Sequence, residues 1–217
     1  LNLAGKGEFE KALELIKIEN PFPAICGRVC NRACEDACTR GTVDQAVAID
    51  EVKRYISELD LKAETRFVPK KVIPKTNGGF DEKVAIIGAG PAGLSCAYYL
   101  ALKGYKPTDF EKAAKAGGMM MNGLPSFRLE KDVVQAEIDI IEELGVEIKC
   151  GVEVGKDVTI PQLREQGYKG FFVGVGLQNG GKLGIPGEDA AGVMSGIDFV
   201  RGVHLGTAKK LKGNVVV

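Results

Sequence analysis

An excess of charge of either sign is missing from this sequence: Lys plus Arg and Asp plus Glu both number 29, and the formal net charge is zero. Those totals imply no basic face, so nucleic acid is not expected as a partner. Histidine is reduced to one residue, His204, which the surrounding pattern places on the surface of a helix. No apolar run approaches the ~20 residues needed to span a bilayer. Nor does a charged, apolar and small-residue leader precede Leu1, and the expectation is a cytoplasmic chain with no membrane partner. Signs of disorder are lacking too. Of the 217 residues 45% are hydrophobic, which suits one domain of good size or a domain with a small appendage.

Cysteine is present and unevenly placed. Four of the six, Cys26, Cys30, Cys34 and Cys38, fall within thirteen residues at a spacing of four. In a cytosolic chain such clustering favours a metal or redox site over disulfides. Four thiolates satisfy iron–sulfur or zinc, with iron–sulfur preferred. In one straight helix the first and last thiols would stand about 18 Å apart at 1.5 Å per residue, too far for one compact cluster. Either Gly27 and Asn31 break the segment so that it folds around one cluster, or the thiols are divided between two clusters whose remaining ligands come from elsewhere. Cys96 and Cys150 lie alone in apolar elements and are expected in the core, where free cysteine behaves as a small hydrophobe.

Two amphipathic patterns flank the cysteines. Glu8 to Glu19 sets Phe9, Ala12, Leu13, Leu15 and Ile16 on one side and predicts a helix ended by Pro21 and Pro23. Asp44 to Asp60 predicts a second, with Val52, Tyr55, Ile56 and Leu59 inward. From 63 to 82 the chain turns polar and irregular, carrying Pro69, Pro74 and the run Asn77, Gly78, Gly79, and reads as a linker. Residues 1–62 thus form a small all-α domain, and a second domain starts near Lys83.

That second domain opens on the most informative stretch, KVAIIGAGPAGLSCAYYLALKGYKPTDFE, from Lys83 to Glu111. Val84 to Ile87 predict a buried parallel strand, and Gly88, Gly90 and Gly93 then fall in the GxGxxG spacing. Gly88 turns the chain tightly off the strand, Gly90 lets a pyrophosphate approach the backbone, and Gly93 lets the helix sit close to the sheet. With Ala89, Pro91 and Ala92 between them, these residues lead to a helix N-terminus whose free N–H groups receive phosphate. Glu111, 18 residues beyond Gly93, stands where an acid should accept ribose hydroxyls at the end of the second strand. Pro107 and Asp109 weaken that strand, since proline cannot donate to a ladder.

Further on, Gly117 and Gly118 make a second close-approach turn, and Arg128 ends the aromatic segment GLPSFR. Lys131 to Leu144 predicts a helix, Val146 to Cys150 a strand, and Thr159 with Gln162 a capping box opening a short helix. Phe171 to Val175 predicts a strand running into Gly174, Val175 and Gly176. A turn at Ile185 to Glu188, a helix over Gly196 to Val203 and a strand starting at Asn214 complete the chain. The fold class is α/β, a Rossmann-like parallel sheet preceded by the helical domain. A β-branched run that stops at Val217 cannot close a βα unit, so the expectation is a piece of a longer protein.

With these residues in hand, the chain resembles the small (beta) subunit of glutamate synthase and the matching N-terminal region of dihydropyrimidine dehydrogenase. The resemblance rests on NPFPAICGRVC with CEDAC, AVAIDEVKRYI, VAIIGAGPAGLSCA, GLPSFRLEKDVV, LGVEIKCGVEVGKDVT and KLGIPGED. It implies a helical domain with two 4Fe-4S clusters and a domain that binds FAD over residues 83–210. It also implies a separate NAD(P)H domain, whose first strand is similar to residues 211–217. Cys30, Cys34 and Cys38 correspond to cluster ligands, and Cys26 stands where some members have a cysteine that is not a ligand. The other ligand cysteines of that family precede the position of Leu1. For FAD the implied contacts are Gly88 to Gly93, Glu111, Gly117, Gly118, Arg128, Gly176 and, by backbone, Val154. Arg128 would offer a permanently charged planar group to flavin or phosphate.

The implied activity is an oxidoreductase subunit that passes electrons from NAD(P)H through FAD to 4Fe-4S clusters and on to a large subunit or another acceptor protein. No histidine base is needed, because the cofactor carries the chemistry. This piece alone is expected to be inactive. The rival is a cluster-bearing docking module that keeps the nucleotide fold as a scaffold.

Overall fold

A computed structural model describes residues 1–71, 80–208 and 210–217. α1 (Asn2–Gly5) leads into α2 (Phe9–Glu19), which buries Ala12 and Leu13 but turns Leu15 to solvent. α3 (Pro23–Val29) begins on a proline, whose fixed φ and missing N–H suit a first turn. It ends at Cys30 in extended backbone. Arg32 takes a left-handed φ of 60°, and α4 (Ala33–Asp36) and a 3-10 turn (Thr39–Thr42) follow.

α5 (Ile49–Leu61) starts later than the pattern from Asp44 predicts, the intervening residues being irregular. Its inner face is also rotated. Ile56 is buried as expected, yet Tyr55 and Leu59 are exposed and Asp50, Ser57 and Asp60 are covered instead. Packing against α3 explains the rotation. A Cβ added at Gly27 would stand 2.8 Å from the Arg54 Cβ, so the two helices meet where one residue has no side chain. Gly27 is therefore a contact inside α3, and the break in the cysteine segment falls at Cys30 to Arg32.

The rest alternates strand and helix: β1 (Lys83–Ile87), α6 (Pro91–Leu102), β2 (Lys106–Glu111), α7 (Gly118–Asn122), α8 (Lys131–Glu143), β3 (Glu147–Cys150), α9 (Ile160–Glu165), β4 (Tyr168–Val173) and α10 (Gly196–His204). All strand pairs are parallel, in the order β3-β2-β1-β4. β2 lies on one side of β1 and β4 on the other, and such a reversal opens a crevice at the carboxyl ends of the strands. β2 is intact despite its sequence. Pro107 pairs with Val84 of β1, but the ladder to β3 begins only at Thr108, so no donor is required of the proline on that side.

The capping box at Thr159 forms with both reciprocal bonds to Gln162, and the turn at Ile185 closes through the Glu188 N–H. Asn214 to Val217 forms no strand. β-branched residues there lack a neighbouring strand among the described residues, and an unpaired strand does not hold. Of the expected linker, residues 72–79, including Pro74, Asn77, Gly78 and Gly79, lie outside the described residues.

Arg66 and Phe67 are firmly placed rather than loose. Arg66 pairs with Asp60 at 2.7 Å, and the Phe67 N–H donates to Asp60 Oδ1 at 2.7 Å. The helical piece and the sheet share one apolar core, in which Phe22 and Ile25 join Ile86, Leu94, Tyr98, Val134 and Ile138. Polar bonds cross the same seam: the Tyr98 hydroxyl donates to Lys17 O at 2.6 Å, and Arg28 Nε to Glu130 Oε2 at 2.8 Å.

Candidate functional site

At the crevice predicted by the strand order lies a cleft of about 430 Å³, with Gly88, Gly90, Glu111, Gly118, Val154 and Gly176 on its walls. The glycines there do different work. Gly88 has φ +103°, and a Cβ on it would meet Gly174 O at 2.6 Å. Gly93 touches β1: its added Cβ would stand 1.9 Å from Gly88 O. Gly90 differs from both. The nearest atom to its added Cβ is Gly118 Cα at 3.8 Å, so that Cβ would project into the cleft, in the space a ligand's phosphate would use.

Glu111 is 4% exposed at the end of β2. Its Oε2 accepts the Ala89 N–H at 2.9 Å and its Oε1 the Ala113 N–H at 2.8 Å. The acid therefore ties the glycine turn to its own strand end. Each oxygen keeps a second lone pair for a ribose hydroxyl. The second turn is locked to the first, with the Gly117 N–H donating to Ala89 O at 2.7 Å. These residues fit the adenosine diphosphate end of a dinucleotide: an open backbone cradle, a helix N-terminus at Pro91 and an acid across from it.

The predicted residues mostly converge. Ala92 and Pro91 also line the cleft, but Arg128 does not; it is exposed beside Phe127. Sequence reasoning missed Lys112, Met119, Glu153 and Gln178, all on the cleft wall. Lys112 could have been found, since it directly follows the acid that ends β2. His204 is half-buried rather than fully at the surface, with its Nε2 2.9 Å from Leu124 O. One strand residue stands apart. Asp109 is fully buried with no partner for either carboxyl oxygen among the described residues, and burial, with Glu111 nearby, pushes its carboxyl up to about 8.

All six cysteines are free thiols. Among the described residues no three of the His, Cys, Asp and Glu side chains converge as a metal site. Thiolate donors suit an iron–sulfur cluster. Backbone N–H groups of Val47 and Arg40 hold the Cys38 thiol below its usual range. Lys53 forms a 2.7 Å ion pair with buried Asp50. Cys96 is half-buried against the core, as expected, whereas Cys150 is exposed at the end of β3. No helix among the described residues is long and apolar enough to cross a membrane.

A cysteine-rich helical piece joined to a dinucleotide-type parallel sheet is also what comparison with known proteins finds. Residues 1–65 match the family described as dihydropyrimidine dehydrogenase domain II, 4Fe-4S cluster, and residues 86–136 the NAD(P)-binding Rossmann-like domain. Over nearly its whole length the chain is similar to glutamate synthase small chains and to the beta subunits of related oxidoreductases. It is 38% identical to the glutamate synthase [NADPH] small chain of Escherichia coli over 98% of its length and 43% of that protein. It is 39% identical to the NADP(+)-dependent formate dehydrogenase subunit beta of Moorella thermoacetica over 97% of its length and 32% of that protein. With the NADPH-Fe(3+) oxidoreductase subunit beta of Geobacter sulfurreducens it shares 37% identity over 96% of its length and 31% of that protein. The chain thus spans less than half the length of these relatives. FprA of Mycobacterium tuberculosis, in complex with NADPH, shares the fold of 56% of this chain with a TM-score of 0.50 at 25% identity, over 28% of FprA.

Proposed function

We propose that this chain is part of an oxidoreductase subunit that takes electrons from NAD(P)H and passes them towards a partner protein. The cleft is proposed to hold FAD and the cysteine segment to contribute ligands to 4Fe-4S clusters. Residues 1–62 are then the cluster domain, 63–82 its connection, 83–210 the flavin domain, and 211–217 the approach to a nicotinamide domain. The observation that carries this reading is the open cradle at Gly90 beside the acid at Glu111, in a sheet that shares its core with Phe22 and Ile25 next to the free thiols of Cys26 and Cys30. When bound, FAD would supply hydride acceptance and single-electron donation. The chain's own part is to bind and orient. Gly90 keeps the backbone open to the pyrophosphate, Gly88 and Gly118 let the turns around it close on Gly174 and on Gly90, Pro91 and Ala92 present the helix end, and Glu111 accepts the ribose hydroxyls. Cys30, Cys34 and Cys38, with Cys26 as a fourth candidate, offer thiolate to iron. Relatives named for NADPH, formate and Fe(3+) chemistry support the redox reading and a partner subunit, and the glutamate synthase role is one form it takes.

The test is flavin and iron content of the whole protein. Glu111→Ala is expected to weaken FAD binding by roughly 1 to 3 kcal/mol, the range of hydrogen bonds to a charged group, measured by flavin fluorescence on dilution. Unchanged affinity would remove Glu111 from the site. After anaerobic reconstitution with iron and sulfide, Cys34→Ser and Cys38→Ser are each expected to lower bound iron and visible charge-transfer absorption. Uptake of zinc alone would count against clusters, and a protein with no flavin and no iron would leave the docking role in place. Residues 1–217 by themselves are expected to show no NAD(P)H oxidation with dye acceptors, and dye reduction by NADH or NADPH would overturn that expectation.

A further inference from the structure

The seam between the cysteine-bearing helices and the sheet contains a group of charges that the cleft does not use. Glu137 of α8 is fully buried, and its Oε1 accepts the Ala24 N–H of α3 at 3.1 Å. The same oxygen lies 3.7 Å from Arg66. Lys17 of α2 is almost as deeply buried, 3.4 Å from Asp60 Oδ2, and donates to Phe67 O at 2.9 Å. Arg66 completes the set through its ion pair with Asp60. Two cations and two anions thus sit together, Lys17, Asp60 and Glu137 buried and Arg66 partly covered, drawn from α2, α5 and residue 66 on one side and α8 on the other.

Such a group is costly unless each member is held. Burial raises the Glu137 carboxyl, with Lys17 and Arg66 pulling the other way, and burial lowers Lys17 against the pull of Glu137 and Asp60. Its location is what gives it meaning. The first N–H groups of a helix have no partner within it, and α3 has no side chain of its own capping that end. Glu137 supplies the acceptor from a helix 113 positions away in sequence. α3 carries Cys26 and ends on Cys30, while α8 packs on α6, whose N-terminus faces the cleft. A second bond across the seam, Arg28 to Glu130, fixes the other end of α3 to the start of α8.

We propose that Glu137 is a positioning residue: from α8 it caps the cysteine-bearing helix α3 and so keeps the thiols and the dinucleotide cleft at one fixed separation. A fixed separation is what electron transfer between them would need, and in this purpose the inference rests on the redox reading above. The geometry itself does not depend on that reading.

The experiment is amide hydrogen exchange, read by mass spectrometry on the intact protein, for Glu137→Gln and Glu137→Leu. The Gln carbonyl can still accept the Ala24 N–H; Leu cannot. Exchange over residues 24–30 is expected to rise about tenfold or more in Glu137→Leu relative to the α6 amides, the size of one buried hydrogen bond lost locally. In Glu137→Gln it is expected to stay within about threefold of the parent. Exchange over 24–30 unchanged in the Leu variant would overturn the proposal, as would a Gln variant that loosens as much as Leu. If Glu137→Leu fails to fold, Arg28→Gln and Glu130→Gln read the other end of α3. Both are then expected to raise exchange in the same segment, and no change in either would overturn the proposal. The readout needs no cofactor, so absence of redox activity in the parent would sink the functional reading and leave this one standing.

Discussion

Gly93→Ala is expected to cost on the order of 4 kcal/mol or more, a loss that only a few mechanisms reach. The added methyl would lie 1.9 Å from the Gly88 carbonyl oxygen and 3.1 Å from Ile86 Cγ2. The first of these is backbone, fixed by the turn that leaves β1, so nothing flexible can step aside. α6 would have to lift off the sheet, and with it Leu94, Ala97 and Tyr98, all fully buried. Against a total stability of about 5 to 15 kcal/mol, that is a large fraction. Gly90→Ala is the matched control. Its φ of −86° suits any residue, and its methyl meets nothing closer than 3.8 Å. Thermal unfolding of Gly90→Ala should therefore track the parent while dinucleotide binding falls. Equal melting of the Gly93 and Gly90 variants would refute the assignment of the two roles.

The second large effect is a dependence on pH set by Asp109. It lies on β2 opposite Ile86 of β1 and Ile148 of β3, fully buried, with no partner for either oxygen among the described residues. Its folded carboxyl is pushed up to about 8, first by burial and then by Glu111. An unfolded Asp titrates near 3.9. Between those values the folded state keeps a proton that the unfolded state has lost, so stability falls as pH rises. The slope is about 1.4 kcal/mol per pH unit, and the fall is on the order of 5 kcal/mol in all, complete above the folded value. Asp109→Val removes the proton and fills the site with an apolar group of similar size. Denaturant unfolding at a series of pH values should show the parent declining from pH 4 to 8 and the variant nearly flat and more stable at the upper end. Parallel profiles would mean that the carboxyl finds a partner or water in solution.

The cleft was legible in the sequence because its signals are local. Gly88, Gly90 and Gly93 are spaced by the turn they make, and Glu111 follows at the distance of one helix and one strand. The seam was not legible. Lys17, Asp60 and Glu137 sit in amphipathic helices where charge ordinarily marks the solvent face, and each is buried only because a partner arrives from far along the chain. The same reason misplaces Tyr55 and Leu59, since α5 is turned by the contact of Arg54 with Gly27 and not by its own apolar stripe. Cys150 reads as core because its strand is apolar, but β3 is an edge strand of the sheet. Arg128 carries no geometric signal at all beyond its charge.

Phe22 and Ile25 in the sheet's core bear on how this family can be re-engineered or recombined. The cysteine-bearing helices are not a cassette. Moving them onto another dinucleotide fold would strand two apolar side chains, the Lys17 carbonyl and the Ala24 amide, unless the recipient also carried a tyrosine hydroxyl like that of Tyr98, a carboxylate like that of Glu137 and the aliphatic bed of Val134 and Ile138. A successful graft has to transplant one face of α6 and α8 with them, so the natural unit of exchange is larger than either half that the sequence suggests.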